Sequence, residues 1–145
     1  MTSTETPARG DRWHLAIGYG LLAEVATILT IVLVVVLYKY VIARGLPESD
    51  YTSFGERAGA LIGILGGTLY TFAFARRLMR GIASRFIAHG IVVALAGIAL
   101  SVGGSIAGHQ GVPSGYLLAS ALKLIAAVLA GFLYGQSEAR NRTVS

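Results

Sequence analysis

Two ionisable residues, Glu24 and Lys123, stand inside long apolar stretches of this 145-residue chain. A charge in apolar surroundings is costly unless it is paired, hydrated or neutralised. One interpretation is an ion pair between neighbouring first and last helices. A second has Lys123 extending to a polar surface while a protonated Glu24 bonds Thr27 or the backbone. A third makes Glu24 a proton or cation site, with Thr27 and Thr30 lining an aqueous path.

The stretches that hold these residues belong to four apolar runs, which cover Leu15–Tyr38, Ala58–Ala75, Phe86–Ala107 and Tyr116–Gly135. A bilayer core of about 30 Å takes roughly 20 helical residues, and each run is near that length. The chain is 54% hydrophobic and only 13% charged, and a soluble protein of this size cannot bury so many apolar side chains. The sequence predicts an all-α integral membrane protein, a four-helix bundle of up-down-up-down topology.

We expect the transmembrane domain to cover residues 13–136, with spans at about 14–42, 56–76, 83–107 and 115–136. Polar tails, residues 1–12 and 137–145, flank this domain. In the connection between the first two spans, Pro47 is expected to end the first helix and Ser53 to cap the second.

Basic residues divide unequally between the two sides of such a bundle. Eight belong to the tails and the second connection: Arg9, Arg12, Arg76, Arg77, Arg80, Arg85, Arg140 and Arg142. Three lie at span ends on the other side: Lys39, Arg44 and Arg57. This bias predicts that both tails are cytoplasmic, and we take the membrane to be a bacterial inner membrane. The densest cluster is expected to contact anionic head groups, and it comprises Arg76, Arg77, Arg80 and Arg85.

Small residues recur at helical spacing in the last three runs. The rows are Gly55, Gly59, Gly63 and Gly67; then Gly90, Gly97 and Gly104; then Ala127, Gly131 and Gly135. Residues at such spacings share a helix face, and a face without large side chains lets a neighbouring backbone approach closely. The rows therefore predict close helix packing, either within the bundle or between chains.

Several classes of site are not expected. The chain has no cysteine, which excludes thiolate metal sites and thiol nucleophiles. His14, His89 and His109 lack metal-ligand spacing, and no serine has an evident base. We expect no enzyme activity, no cofactor and no metal. Because the basic residues cluster at span ends, topology explains the pI near 9.9 better than nucleic-acid binding does.

The sequence Leu-Ala-Glu-Val at Leu22–Val25, in the first of four spans, resembles the first span of the small multidrug resistance transporters. In that family a membrane-embedded glutamate binds protons and cationic drugs in turn, within a homodimer. The resemblance implies this role for Glu24 and supports one hypothesis, a small proton- or cation-coupled transporter or channel. The other hypothesis, which the residues favour, is a non-enzymatic membrane subunit or scaffold packed through the glycine and alanine rows. Its partners would be the lipid bilayer and a second copy or another membrane protein.

Overall fold

The computed structural model describes residues 12–108 and 115–143. It contains four helices, α1 (Trp13–Leu37), α2 (Glu48–Met79), α3 (Phe86–Ala107) and α4 (Gly115–Thr143). A π-helical turn, Tyr38–Ile42, continues α1, and no strand occurs in the described ranges. The all-α prediction is confirmed, and each helix is long and apolar enough to cross a membrane. The predicted tail at residues 1–12 lies almost entirely outside the described residues.

The second helix begins earlier than expected. Pro47 is its N-cap residue, and Glu48 and Asp50 lie in its first turn, where carboxylates interact favourably with the helix dipole. The acidic residues that follow Pro47 therefore belong to the beginning of α2. Ser53 lies inside the helix, so the prediction that it caps α2 is wrong.

A tight turn joins α1 to α2, and its backbone groups find local partners. The amide of Ala43 donates to the carbonyl oxygen of Tyr38 at 2.9 Å, which closes the π-helical turn. The Tyr51 hydroxyl donates to the carbonyl oxygen of Ala43 at 2.7 Å and accepts from the amide of Leu46 at 3.0 Å. Because the turn's polar groups are bonded in this way, the chain can reverse within a few residues.

The turn between α2 and α3 ends at Arg85, which has φ 56° and ψ 38°. This left-handed conformation is uncommon for a residue other than glycine. It orients the Arg85 carbonyl to accept from both the backbone N–H and the ring Nδ1 of His89, each at 3.0 Å. Helix α3 therefore starts at Phe86, three residues later than expected.

The order of the helices around the bundle differs from the expected one. α1 packs against α2 and α3, and α4 packs against the same two helices. α1 and α4 therefore face each other across a diagonal, so the expectation that they are neighbours is wrong. The cause is close contact along α3. A Cβ on Gly20 would collide with the carbonyl oxygen of Val93, and one on Gly90 would lie 2.5 Å from the carbonyl oxygen of Ala127.

Packing is tighter in one half of the bundle than in the other. The hydrophobic core lies where α1 begins and consists of Ala16, Ala75, Leu78, Met79, Ile82, Val93 and Ala130. We call this half the core end. In the opposite half, the open end, no residue is buried on α1 after Thr27, on α3 after Ser101, or on the described part of α4 before Lys123.

The glycines of the small-residue rows are closely packed at the core end and less so at the open end. A Cβ on Gly131 would lie 2.8 Å from the backbone of Ile87, and Gly90 and Gly97 also meet neighbouring backbone. At the open end, by contrast, a Cβ on Gly63 or Gly104 would meet nothing within 4 Å among the described residues. These two glycines therefore make no close packing contact within the described part of the bundle, and the alternative of packing between chains stays a prediction.

The remaining row positions lie between these extremes. A Cβ on Gly55, Gly59 or Gly135 would make ordinary contact, at 3.8, 4.0 and 3.6 Å, with a side chain of another helix. Ala127 is fully buried. These residues contribute to packing without requiring the close backbone approach that Gly90 and Gly131 allow.

An alanine at Gly131 and one at Gly63 should have opposite effects. Gly131→Ala pushes α3 and α4 apart and should destabilise the bundle by about 1–3 kcal/mol. Gly63→Ala fills open space and should be neutral or stabilising by up to about 1 kcal/mol, because alanine favours helix more than glycine does. Thermal unfolding of the two detergent-solubilised variants checks this difference. Equal losses of melting temperature would contradict the packing described here.

Candidate functional site

An ion pair occupies the centre of the bundle. The ammonium of Lys123 on α4 donates to Oε2 of Glu24 on α1 at 2.5 Å. The hydroxyl of Ser101 on α3 donates to the other carboxylate oxygen, Oε1. The side chains of Lys123 and Glu24 are only 6% and 8% exposed. The pair therefore bridges the α1–α4 diagonal, and α3 contributes a third polar group.

Two glycines make room for the pair. A Cβ on Gly67 of α2 would lie 2.7 Å from Cε and 3.4 Å from Nζ of Lys123. A Cβ on Gly97 of α3 would lie 3.6 Å from Oε2 of Glu24. The lysine therefore lies in the space that a side chain at position 67 would occupy. Gly67 accommodates a long side chain, which differs from the backbone-to-backbone contact that its row predicts.

The two predicted threonines have separate surroundings. Thr27 is buried beside Gly67, and its hydroxyl donates to the carbonyl oxygen of Ala23 at 2.9 Å. Such a bond satisfies the hydroxyl within its own helix. Thr30 bonds Ala26 and Tyr70 instead, on the side of α1 that faces a cleft with α2. The structure therefore brings Glu24 and Lys123 together, places Thr27 next to them, and separates Thr30 from the pair.

Ser101 is the member of the site that sequence reasoning missed. It lies four residues after Gly97 and three before Gly104, so it belongs to the small-residue face of α3. A polar residue on the packing face of an apolar helix was the available signal. Its donor matters because a carboxylate with two hydrogen-bonded oxygens is better compensated for its burial than one with a single ammonium partner.

The pair is electrically neutral as a unit. Removing both charges from water is costly, and their attraction compensates only when geometry and hydrogen bonding are good. Removing one partner leaves an uncompensated charge in the interior, which is much more destabilising than removing both. The arrangement can therefore hold three helices in one register, α1, α3 and α4.

His89 is a second buried polar residue, at the core end. It is 0% exposed, and its ring stacks on Trp13 with centroids 4.0 Å apart and an interplanar angle of 2°. Because a carbonyl oxygen only accepts, the contact between Nδ1 and Arg85 requires a proton on Nδ1. Within the described ranges, Nε2 has no hydrogen-bond partner. His14 is exposed, and His109 lies outside the described residues.

No group of three or more histidine, aspartate or glutamate residues in the described chain is placed to hold a metal ion.

The predicted arginine cluster lies at the core end, where Arg76, Arg77, Arg80 and Arg85 are all exposed. The structure adds Arg12, which precedes α1. A Cβ on Gly81, in the turn after α2, would lie 3.9 Å from Nη1 of Arg12. Contact of this cluster with anionic head groups stays a prediction.

No protein-family model matches this chain, and neither a curated protein nor a solved structure does so. The resemblance to the small multidrug resistance transporters is therefore limited to Leu22–Val25 and the number of helices.

Alanine substitutions of two serines on α3 should separate the role of the site from that of general packing. Ser101→Ala removes a donor from the buried carboxylate and should destabilise the bundle by about 1.5–3 kcal/mol. Ser105→Ala is the matched control, because its hydroxyl makes only a 3.4 Å contact with the Tyr116 hydroxyl and should matter little. Chemical denaturation in mixed micelles measures both. A smaller loss for Ser101→Ala than for Ser105→Ala would remove Ser101 from the site.

Proposed function

We propose that this chain is a non-enzymatic integral membrane protein, a structural subunit or scaffold whose helix arrangement depends on the buried Glu24–Lys123 pair. The observation that carries the proposal is the hydrogen bonding of the Glu24 carboxylate. Lys123 and Ser101 each donate to one of its oxygens in the bundle centre. A glutamate bonded in this way serves to connect helices.

The outer surface of the bundle supports a membrane location. Leucines project outward from the helices, among them Leu117, which is 79% exposed, and Leu61 and Leu65, each 62% exposed. Exposed apolar surface of this extent is unfavourable in water and favourable against lipid tails. The bilayer is thus the first partner that we propose, and it covers the sides of all four helices.

Contacts at the core end support alternating helix directions. Trp13 at the start of α1 stacks on His89 near the start of α3. Phe86 at the start of α3 contacts Tyr134 towards the end of α4, with centroids 5.1 Å apart. Met79 at the end of α2 joins the same core cluster. We infer an up-down-up-down bundle with its arginine-rich core end at the cytoplasmic face, in line with the eight-to-three division of basic residues.

The geometry favours a structural role over transport at Glu24. A coupling carboxylate must bind and release a proton or cation, yet here the Lys123 ammonium already lies 2.5 Å from it. Transport would require this buried pair to separate in every cycle, and separation exposes each charge to the full cost of its burial. The lysine acts as a tethered counter-ion, so a free cation gains little by competing with it.

One observation favours the alternative, a small proton- or cation-coupled transporter or channel. Beyond the pair, towards the open end, α1, α3 and the described part of α4 have no buried residue. Water entering between the helices at the open end would approach Glu24 and Lys123 from that side. In this hypothesis Glu24 is the coupling carboxylate and Lys123 its counter-charge.

Neutralising the two charges separately and together distinguishes these functions. Glu24→Gln or Lys123→Met alone should destabilise the bundle by about 3–5 kcal/mol, because one buried charge loses its partner. The double variant should recover much of that loss, as measured in a double-mutant cycle of unfolding free energies. Wild-type protein in liposomes should pass protons, monovalent cations and cationic dyes no faster than empty liposomes.

The exposed pair of Lys39 and Glu48, 2.8 Å apart, is the matched control for this cycle. Its neutralisation should have little effect on stability, because exposed ion pairs contribute little. Additive losses at Glu24 and Lys123 would contradict the structural pair. Proton-driven flux in the wild type that disappears in a folded Glu24→Gln variant would replace the scaffold with the transporter.

The absence of cysteine allows a direct test of topology with single-cysteine variants. Ser84, in the α2–α3 turn, and Thr52, near the start of α2, are both exposed. A membrane-impermeant maleimide should label Ser84→Cys only in inside-out vesicles and Thr52→Cys only in right-side-out vesicles. Labelling of both positions from one side would rule out a crossing by α2.

A further inference from the structure

A cleft between α1 and α2 lies on the outside of the bundle, apart from the ion pair. It has a volume of about 340 Å³, which is near the lower end of the range for small-molecule sites. Thr30 and Tyr70 lie in it, and the rest of the lining is apolar, including Leu61, Leu65 and Leu69. It is therefore a mainly apolar cleft with one polar spot.

The hydrogen bonds at that spot determine what it can offer a ligand. The Thr30 hydroxyl has one hydrogen, which it donates to the carbonyl oxygen of Ala26 at 2.8 Å. The Thr30 and Tyr70 hydroxyl oxygens lie 2.9 Å apart, so Tyr70 must be the donor in that bond. Both hydroxyl hydrogens are thereby used. The oxygens retain lone pairs, so the cleft presents acceptors and no side-chain donor.

The cleft opens on the outer side of the bundle, between the exposed side chains of α2. Leu61, Leu65 and Leu69 along its edge are 62%, 62% and 68% exposed. Gly66 also lines it, and a Cβ there would lie 3.9 Å from Cε2 of Tyr70, so a side chain at this position would narrow the cleft. In the membrane location proposed above, a ligand would enter from the lipid and not from water.

We infer that this cleft binds a neutral, lipid-soluble molecule that carries a hydroxyl group, with the hydroxyl donating to the oxygen of Tyr70 or Thr30. The apolar lining suits a hydrocarbon body, and the two hydroxyl oxygens, whose hydrogens are already used, can still accept a hydrogen bond from a ligand with a donor. No carboxylate lines the cleft, so a charged amine would lack a counter-charge. An acyl chain would fill the volume but would donate no hydrogen bond to either hydroxyl oxygen.

A pair of matched probes tests this chemistry: a photoreactive long-chain alcohol and its methyl ether, which differ only in the donor. With the wild-type protein in nanodiscs, the alcohol should label peptides from residues 61–70 about three- to tenfold more than the ether, the range expected for one neutral hydrogen bond. Equal labelling would mean that the cleft accepts any acyl chain, and would overturn the inference.

Variants show whether the Thr30 and Tyr70 hydroxyls cause the preference for the alcohol over the ether. The double variant Thr30→Val, Tyr70→Phe keeps the shape of the cleft and should reduce the alcohol-to-ether ratio to about one, with circular dichroism confirming that it is folded. Tyr134→Phe removes a phenol at the core end and should keep the wild-type ratio. An unchanged ratio in the double variant, or an equal loss in Tyr134→Phe, would overturn the assignment.

The inference rests on the membrane location, and the experiment separates the two failures. A chain that does not enter nanodiscs overturns the membrane location together with the site. A chain that enters them and labels equally with both probes overturns the site alone.

Discussion

Two opposite charges buried in an apolar bundle constrain the rest of this structure. Glu24 and Lys123 are 99 residues apart in the chain, and neither is tolerated in such surroundings without the other. They meet because α1 and α4 face each other across the centre, with α2 and α3 between them on either side. Gly67 and Gly97 then provide space for the pair, and Ser101 satisfies the second carboxylate oxygen. The ion pair, the Ser101 hydroxyl and the two glycines thus depend on one another for their positions.

This centre divides a closely packed half from a more open one. On the core side, glycines such as Gly20, Gly90 and Gly131 let backbones approach, and Trp13 stacks on a fully buried His89. On the open side, α1, α3 and the described part of α4 have no buried residue, although Tyr51 and Ala58 of α2 are buried there. A bundle built in this way is held firmly at one end. The open end is where binding of a small molecule or of another chain would meet least resistance, because fewer packed contacts must be displaced.

Much of the fold is readable from local sequence, and the errors have identifiable causes. The number of helices and their apolar character follow from hydropathy. The start of α2 at Glu48 did not, because polar residues in a first turn resemble a connection when only hydropathy is considered. The prominence of Glu24 and Lys123 was evident from their type alone. Ser101 was not predicted as a site residue, because its place on the small-residue face of α3 shows that it packs against another helix and not which side chain it bonds.

The sequence by itself determined that four long apolar helices form and that two charges lie within them, because helix formation and hydropathy depend on residues close together in the chain. Only the tertiary structure decided which helices are neighbours, which glycines are in close contact, and that Thr30 faces Tyr70 and not the ion pair. These features depend on the shapes of surfaces that are distant in sequence. Small residues permit several packings, and the one adopted here brings both charges and a serine donor to the same point.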